Sequence, residues 1–190
     1  MRKLIYIVNT SLDGYIDGPG GAFDWTTVGP EFSAFSEGLT DETDILLYGR
    51  VVYGWMSSYW PTADQEEGAH PHDVAYAPKW RARPKVVVSD TLTEVPDDTR
   101  IIRGASLEAD LTALKHEEGG HILLTGGNAL ASTLVGLGLV DEIVMVVHPV
   151  VLTGGTPLLS GVKDRLRLGL LESRTCDDTV IISRYAPAAP

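Results

Sequence analysis

Basic charge is what this sequence has least of relative to its counterpart. Fifteen lysines and arginines face 26 aspartates and glutamates, a formal net charge of −11. Such a chain lacks the broad positive face that nucleic acid or an anionic membrane requires. A few local donors can still hold a small anion. Cysteine is nearly absent. Cys176 alone cannot form an internal disulfide, which fits a reducing compartment and a small buried core residue. No apolar run reaches membrane-span length. The opening residues, MRKLIYIVNTSLDG, turn polar too early for a secretory signal, so a cytoplasmic protein is expected. Two nucleotide fingerprints are also missing. There is no G-x-x-x-x-G-K-[ST], which excludes a Walker-type NTPase, and no G-x-G-x-x-G after the first strand, which excludes a standard Rossmann site.

What is present is enough apolar sequence, 44% of 190 residues, for one domain with a full core. KLIYIVN, DILLYG, KVVVSD, TRIIRG, HILLT and VDEIVMVVHPVVL read as strands, and LGLLESRTC and TVIISRYA as a closing antiparallel hairpin around Asp177-Asp178. Helices are expected in residues 30–40, where Phe32, Phe35 and Leu39 recur about once a turn behind Pro30, and in RVVYGWMSSYW. Two more are expected in LEADLTALKHEEGG, capped by Ser106, and in GGNALASTLVGLGL. Residues 61–83 carry little periodicity and are expected to be a long functional loop. The fold class that follows is α/β, a mostly parallel central sheet with flanking helices and a C-terminal antiparallel hairpin. Residues 1–186 form one domain in this reading, and residues 187–190 a frayed tail.

In such a sheet, ligands collect at the carboxyl ends of the strands. Three of those ends have phosphate-compatible chemistry. HILLTGGNAL stops at a Gly pair and turns directly into a helix, whose free N–H groups suit an anion. Gly49-Arg50 offers close backbone approach and a bidentate guanidinium. Ser89 and Thr91 offer hydroxyls. Alone, a Gly-Gly after a strand is an ordinary tight turn; three such ends suit an extended ligand with several phosphates.

SLDGYI, LLYGRVVYGWM, VVVSDTL, LLTGGNALASTLVGLGLVDEI and HPVVLTGGTPLL, in that order, resemble the dihydrofolate reductase-like fold. The resemblance is to the branch related to the reductase domain of the bifunctional riboflavin-biosynthesis deaminase-reductases. It implies NADPH binding and hydride transfer to a pterin-like or aminopyrimidine-like ring. It implies that Gly49, Arg50, Val51 and Val52 meet the adenosine-side phosphates, and that Ser89 lies near the adenine ribose. Gly126, Gly127, Asn128, Ala129 and Leu130 would cradle the pyrophosphate, with Asn9 and Ile16 flanking the nicotinamide. Trp25, Phe32 and Phe35 would wall the substrate. The chain departs from the family at Val52, at Gly54 and at Asp90, which stands where a basic residue often pairs with the 2′-phosphate. Asp90 suits a ribose 2′-OH instead, so NADH is admitted beside NADPH.

A proton source is also needed. Asp13 is the candidate catalytic acid, set against an ordinary turn role for Asp-Gly; Glu31 is the acidic residue nearest the start of the first helix. His70-Pro-His72-Asp73 matches no zinc spacing, so no metal is expected. His148 reads as a structural histidine at a strand end, and Asp141-Glu142 as solvent-facing. The hairpin residues Val180, Ile181 and Ile182 read as an edge that a homodimer would cover. The alternative to a reductase is a dinucleotide-binding module that has lost its chemistry.

Overall fold

The computed structural model describes residues 1–96 and 98–188. Its centre is β1 (Leu4–Ser11), whose LIYIV run is buried almost throughout, as expected of a strand covered on both faces. Around it lie β2 (Thr43–Gly49), β3 (Lys85–Val88), β4 (Thr99–Ile102), β5 (His121–Thr125) and β6 (Glu142–His148), with β7 (Leu168–Cys176) and β8 (Val180–Pro187) at one side. The order is β4-β3-β2-β5-β1-β6-β8-β7. β1 to β6 run parallel, while β8 is antiparallel to both β6 and β7. The expected sheet with its C-terminal hairpin is therefore the observed one. No helix among the described residues is long and apolar enough to cross a membrane.

Alternation along the strands sorts the core into two layers. Leu4, Tyr6 and Val8 face α4 (Leu107–His116) and α5 (Asn128–Gly136), which contribute Leu111, Leu114, Ala131 and Leu134. Ile5 and Ile7 face α1 (Pro30–Asp41), α2 (Arg50–Tyr59) and α3 (Pro71–Ala82), which contribute Phe32, Leu39, Val52, Tyr76 and Trp80. Each fully buried large side chain stabilises by about 1.5–3 kcal/mol. Cys176 is buried at the end of β7.

Several local expectations are corrected. Residues 61–83 are not a long loop, because α3 occupies Pro71–Ala82. Pro71 opens it, His70 Nδ1 accepts from the His72 amide, and Trp80 Nε1 donates to the Tyr48 hydroxyl at 3.0 Å. Its buried face is a few aromatics rather than an aliphatic stripe, and Pro78 interrupts it, so apolar periodicity is faint. Ser106 does not cap α4 with its side chain; its hydroxyl bonds Asp110 and the Arg103 carbonyl. Glu142 is buried against Arg184, and Asp141 accepts from the Leu4 amide and Lys115. Neither acid is simply solvent-facing. β8 is an inner strand with Val180 and Ile182 buried, and β7 is the edge, with Leu170 and Leu171 exposed beside a register shift. Of the expected tail, Pro187 ends β8 and the Ala188 amide bonds the Arg167 carbonyl at 2.8 Å; residues 189–190 lie outside the described residues.

The turn between β7 and β8 reaches beyond its own strands. Asp177 and Asp178 have φ of 54° and 50° and Thr179 N–H closes the turn on Cys176, a conformation that Asp tolerates better than most residues. The Asp177 carboxylate then accepts from the amides of Glu31 (2.9 Å) and Phe32 (3.0 Å), and its own N–H donates to the Glu31 carboxylate. A Cβ at Gly29 would lie 2.3 Å from Asp177 Cγ. Glycine at position 29 is what lets the hairpin cap α1, and so fixes where Phe32 points.

Candidate active site

All six parallel strands end on one edge of the sheet, and in spatial order their ends carry Arg103-Gly104, Ser89-Asp90, Gly49-Arg50, Gly126-Gly127, Asn9 and His148. From β3 to β1 is three inter-strand steps, about 14 Å. Gly49 ends β2 and begins α2, and Gly127 begins α5; neither helix start has a side-chain cap. The first-turn amides of Arg50, Val51 and Val52, and of Asn128, Ala129 and Leu130, are thus turned toward the same edge with the positive ends of two helix dipoles. Gly126 and Gly127 have φ of 59° and 71°, conformations that L side chains rarely adopt. The two helix starts interlock. A Cβ at Gly127 would approach Val52 to 3.3 Å, and one at Gly49 would touch Leu130 at 3.7 Å. Beside them Thr125 Oγ1 is buried with no protein partner. An orphaned hydroxyl, two free helix starts and a glycine cradle fit an anionic, phosphate-bearing ligand.

Side chains at this end are more committed than the backbone. Asn128 donates to Ser160 Oγ at 2.7 Å and accepts from Ser132 and from the Ser160 amide. Its side-chain oxygen is thereby filled, while its backbone amide stays free. Ser89 Oγ accepts from the Thr91 and Leu92 amides, which leaves a single O–H to offer. Asp90 accepts from the Gly104 amide at 2.8 Å. Its carboxylate thereby takes the amide that an outside anion would use at that strand end. Arg103 donates to the Ser89 and Leu92 carbonyls. Arg50 is exposed and makes no ion pair among the described residues.

The β1/β6 corner is built from side chains. His148 Nε2 lies 2.9 Å from Asn9 Oδ1, and the Thr27 amide donates to Nδ1 at 3.3 Å. Trp25 and Phe32 make T-shaped contacts with the imidazole, with centroids at 5.5 and 6.0 Å. His148 is 1% exposed, and burial brings its pKa down from 6.5 to about 4. Trp25, Phe32 and Asn9 are therefore brought together. Phe35 is not; it lies on the hairpin side of α1, under the Arg174 guanidinium at 4.4 Å, lining a groove of about 550 Å³ with Cys176 and Glu172.

The loop after β1 is stitched to the loop after β6. Ile16 N–H bonds the Thr156 carbonyl, and its side chain packs on the α4/α5 layer. Asp13 accepts from Ser11 Oγ at 2.7 Å and from the amides of Leu152 and Thr153. Ser11 and those amides hold its carboxyl below the usual range. An acid so held keeps its charge. Asp13 is more than a turn residue, since it clamps two distant loops, but its surroundings are the reverse of those that raise a general acid. Glu31 faces the hairpin, bonded to the Asp177 amide, and so is turned away from the Asn9 corner. His70 caps α3, while His72 stacks on Tyr76 and bonds Ser33.

Sequence reasoning missed His148 as a hub and Asp177 as the cap of α1. A polar residue closing the apolar run EIVMVVH was the one available signal for the first. For the second there was none, because its partner is 146 residues away.

The sequence profile of the RibD C-terminal domain matches residues 2–182. An uncharacterised Bacillus subtilis protein, YyaP, is 32% identical over 186 residues, covering 95% of this chain and 92% of that one. A solved structure of a putative riboflavin biosynthesis protein from Shewanella sp. PV-4 superposes with a TM-score of 0.72 at 26% identity, over 98% and 99% of the two chains. Dihydrofolate reductase from Enterococcus faecalis, solved with NADP(H), superposes with a TM-score of 0.62 at 12% identity, over 98% and 97%. That last likeness is one of fold, and the fold is dihydrofolate reductase-like.

Proposed function

The chain belongs to the RibD C-terminal domain family, and from that premise we propose that it is a reductase transferring hydride from a nicotinamide dinucleotide to a pterin-like or aminopyrimidine-like heterocycle. The observation that carries the reading is the pair of uncapped helix starts interlocked at Gly49, Val52, Gly126 and Gly127. In this reading the amides of Gly127, Asn128, Ala129 and Leu130 hold the pyrophosphate at the start of α5. Gly49, Arg50, Val51 and Val52 hold the adenosine-side phosphate, and Ser89 donates its remaining O–H to the ribose. Asn9 and Ile16 flank the nicotinamide, and Trp25 and Phe32 wall the substrate, with Phe35 supporting α1 from behind. A reduced nicotinamide, when bound, supplies the hydride. Asp13, kept ionised by its three donors, holds the two loops closed over the ring rather than giving up a proton. The proton that completes the reduction comes from water at the open edge.

Asp90 argues on the cofactor. The 2′-phosphate of NADPH would meet a carboxylate there, whereas the 2′-OH of NADH is a donor that it can accept. NADH therefore binds at least as well as NADPH, with Arg50 the opposing term. The exposed leucines of β7 are covered by a second copy, giving a homodimer; a monomeric mass in solution would contradict this.

A second reading, a dinucleotide-binding module without chemistry, is favoured by one observation: Glu31, the acid of α1 nearest the cleft, is bound to the hairpin. Titrating the chain with NADH and NADPH while following tryptophan fluorescence tests the common part. Binding that is lost in Gly127→Val, with the fold intact by circular dichroism, is the expected result; no binding of either nucleotide sinks both readings. Oxidation of the bound nucleotide on adding a pterin or an aminopyrimidine then separates reductase from binder.

A further inference from the structure

The β1/β6 corner contains a hydrogen bond whose direction can be worked out, and that direction fixes what the cleft presents. The Thr27 backbone N–H donates to His148 Nδ1. A backbone amide is only a donor, so Nδ1 is an acceptor and carries no proton. The single imidazole proton is then on Nε2. A second proton on Nδ1 would set two donors against each other in a site that is 1% exposed and flanked by Trp25 and Phe32. Burial, which holds the ring neutral above about pH 4, acts in the same direction. Nε2–H must find an acceptor, and 2.9 Å away it has Asn9 Oδ1. This settles the rotamer of an amide that is otherwise free to flip. The Asn9 amino group is turned away from His148 and makes no hydrogen bond among the described residues, yet it is not a buried orphan. It shares a strand face with Ile5 and Ile7, on the α1–α3 side of the sheet.

We propose that His148 is a positioning residue that locks Asn9 with its NH2 facing the cleft, and that this fixed donor takes an amide-type carbonyl oxygen of a bound ligand. A donor held this way discriminates by what it leaves unpaired, since a ligand without the oxygen strands a desolvated N–H. Two sources have the same chemistry: the carboxamide of a nicotinamide and a ring carbonyl of the substrate. The ligand half of the inference rests on the dinucleotide reading; the orientation half does not. Two carboxylates near the corner are engaged elsewhere, Glu31 by the hairpin and Asp13 by Ser11, Leu152 and Thr153. The recognising group there is thus a neutral donor.

The test has two arms on the full chain. Long-range proton–nitrogen NMR of the imidazoles at pH 7 should find His148 neutral with its proton on Nε2. Replacing it by His148→Leu should shift the Asn9 side-chain amide resonances, while His148→Gln, which can still donate, should restore them. A proton on Nδ1, or an imidazolium, overturns the orientation whatever the protein binds. In the second arm Asn9→Leu removes the donor and adds no charge. A loss of about tenfold in affinity for NADH with none for ADP-ribose assigns the oxygen to nicotinamide. Unchanged affinity for both, with about tenfold weaker binding of 6-aminouracil to the NADH complex, assigns it to the substrate. Equal weakening of NADH and ADP-ribose, or no change in any of the three, overturns the proposal. A wild-type chain that binds no nicotinamide nucleotide sinks the dinucleotide reading and the ligand half with it, while the NMR result stands on its own.

Discussion

The two ends of the carboxyl edge are built from different materials. At β2 and β5 the groups on offer are backbone amides, exposed by glycines at Gly49, Gly126 and Gly127 and by the absence of side-chain caps. At β1 and β6 they are side chains that meet from far apart: Asn9, Thr27 and His148, with rings from Trp25 and Phe32. A backbone site needs only a local turn, so it forms with the strand and helix that flank it. A side-chain site needs every supporting element to arrive, and here the support includes a hairpin turn from the far end of the chain. Asp177 caps α1, α1 sets Phe32, and Phe32 packs on His148. The contrast suits the proposed reductase, in which phosphates are shared by many ligands while the ring chemistry must be specific.

Disturbing the long-range support should damage the second end and spare the first. The largest effect is expected from Gly29→Val, whose side chain meets the Asp177 carboxylate at 2.3 Å. A loss of about 3 kcal/mol in urea unfolding is expected for such overpacking against a capped helix; an unchanged midpoint would show the hairpin contact to be dispensable.

Acid should act next, and in a defined window. His148 is neutral in the fold with a pKa near 4, against 6.5 when unfolded. Between these values the unfolded chain binds the proton and the folded chain does not, so stability present above pH 6.5 is lost as pH falls toward 4. Thermal melts of wild type and His148→Gln across pH 4–7 check this. The wild type should fall more steeply in that window, and parallel curves would refute the assignment.

Asp177→Ala removes the cap of α1 without adding bulk. About 1 kcal/mol is the expected cost, with the tryptophan fluorescence of the Trp25 corner altered and nucleotide-phosphate binding retained. The smallest expected effect is from Asp90→Asn, which lifts a charge from one end of the backbone site. The NADPH-to-NADH affinity ratio should rise a few-fold, because in the proposed site the carboxylate repels the 2′-phosphate; an unaltered ratio would show that Asp90 does not meet that phosphate.

The same contrast explains what could be read from the sequence. DILLYGR and HILLTGGNAL announce a strand, a turn and a helix within ten residues, so the two uncapped helix starts and the parallel sheet were legible. Residues 61–83 hid α3 because its buried face is Tyr76, Ala77 and Trp80 amid charges. The edge was assigned to the wrong hairpin strand because Val180 and Ile182 look like any exposed apolar pair until β6 covers them. His148 read as structural, which it is, but its bond to Asn9 depends on the β1/β6 register and could not be inferred from either strand alone. Asp13 looked like a turn residue or an acid, and only the loop at 150–153 reveals it as a clamp.

The most direct test of the proposed dinucleotide site is a backbone amide NMR titration with NADH. The account predicts that the largest shifts fall on Arg50, Val51 and Val52 and on Gly127, Asn128, Ala129 and Leu130, with β7 unmoved. Saturation with those amides unshifted, or shifts confined to the groove between α1 and β7, would contradict it.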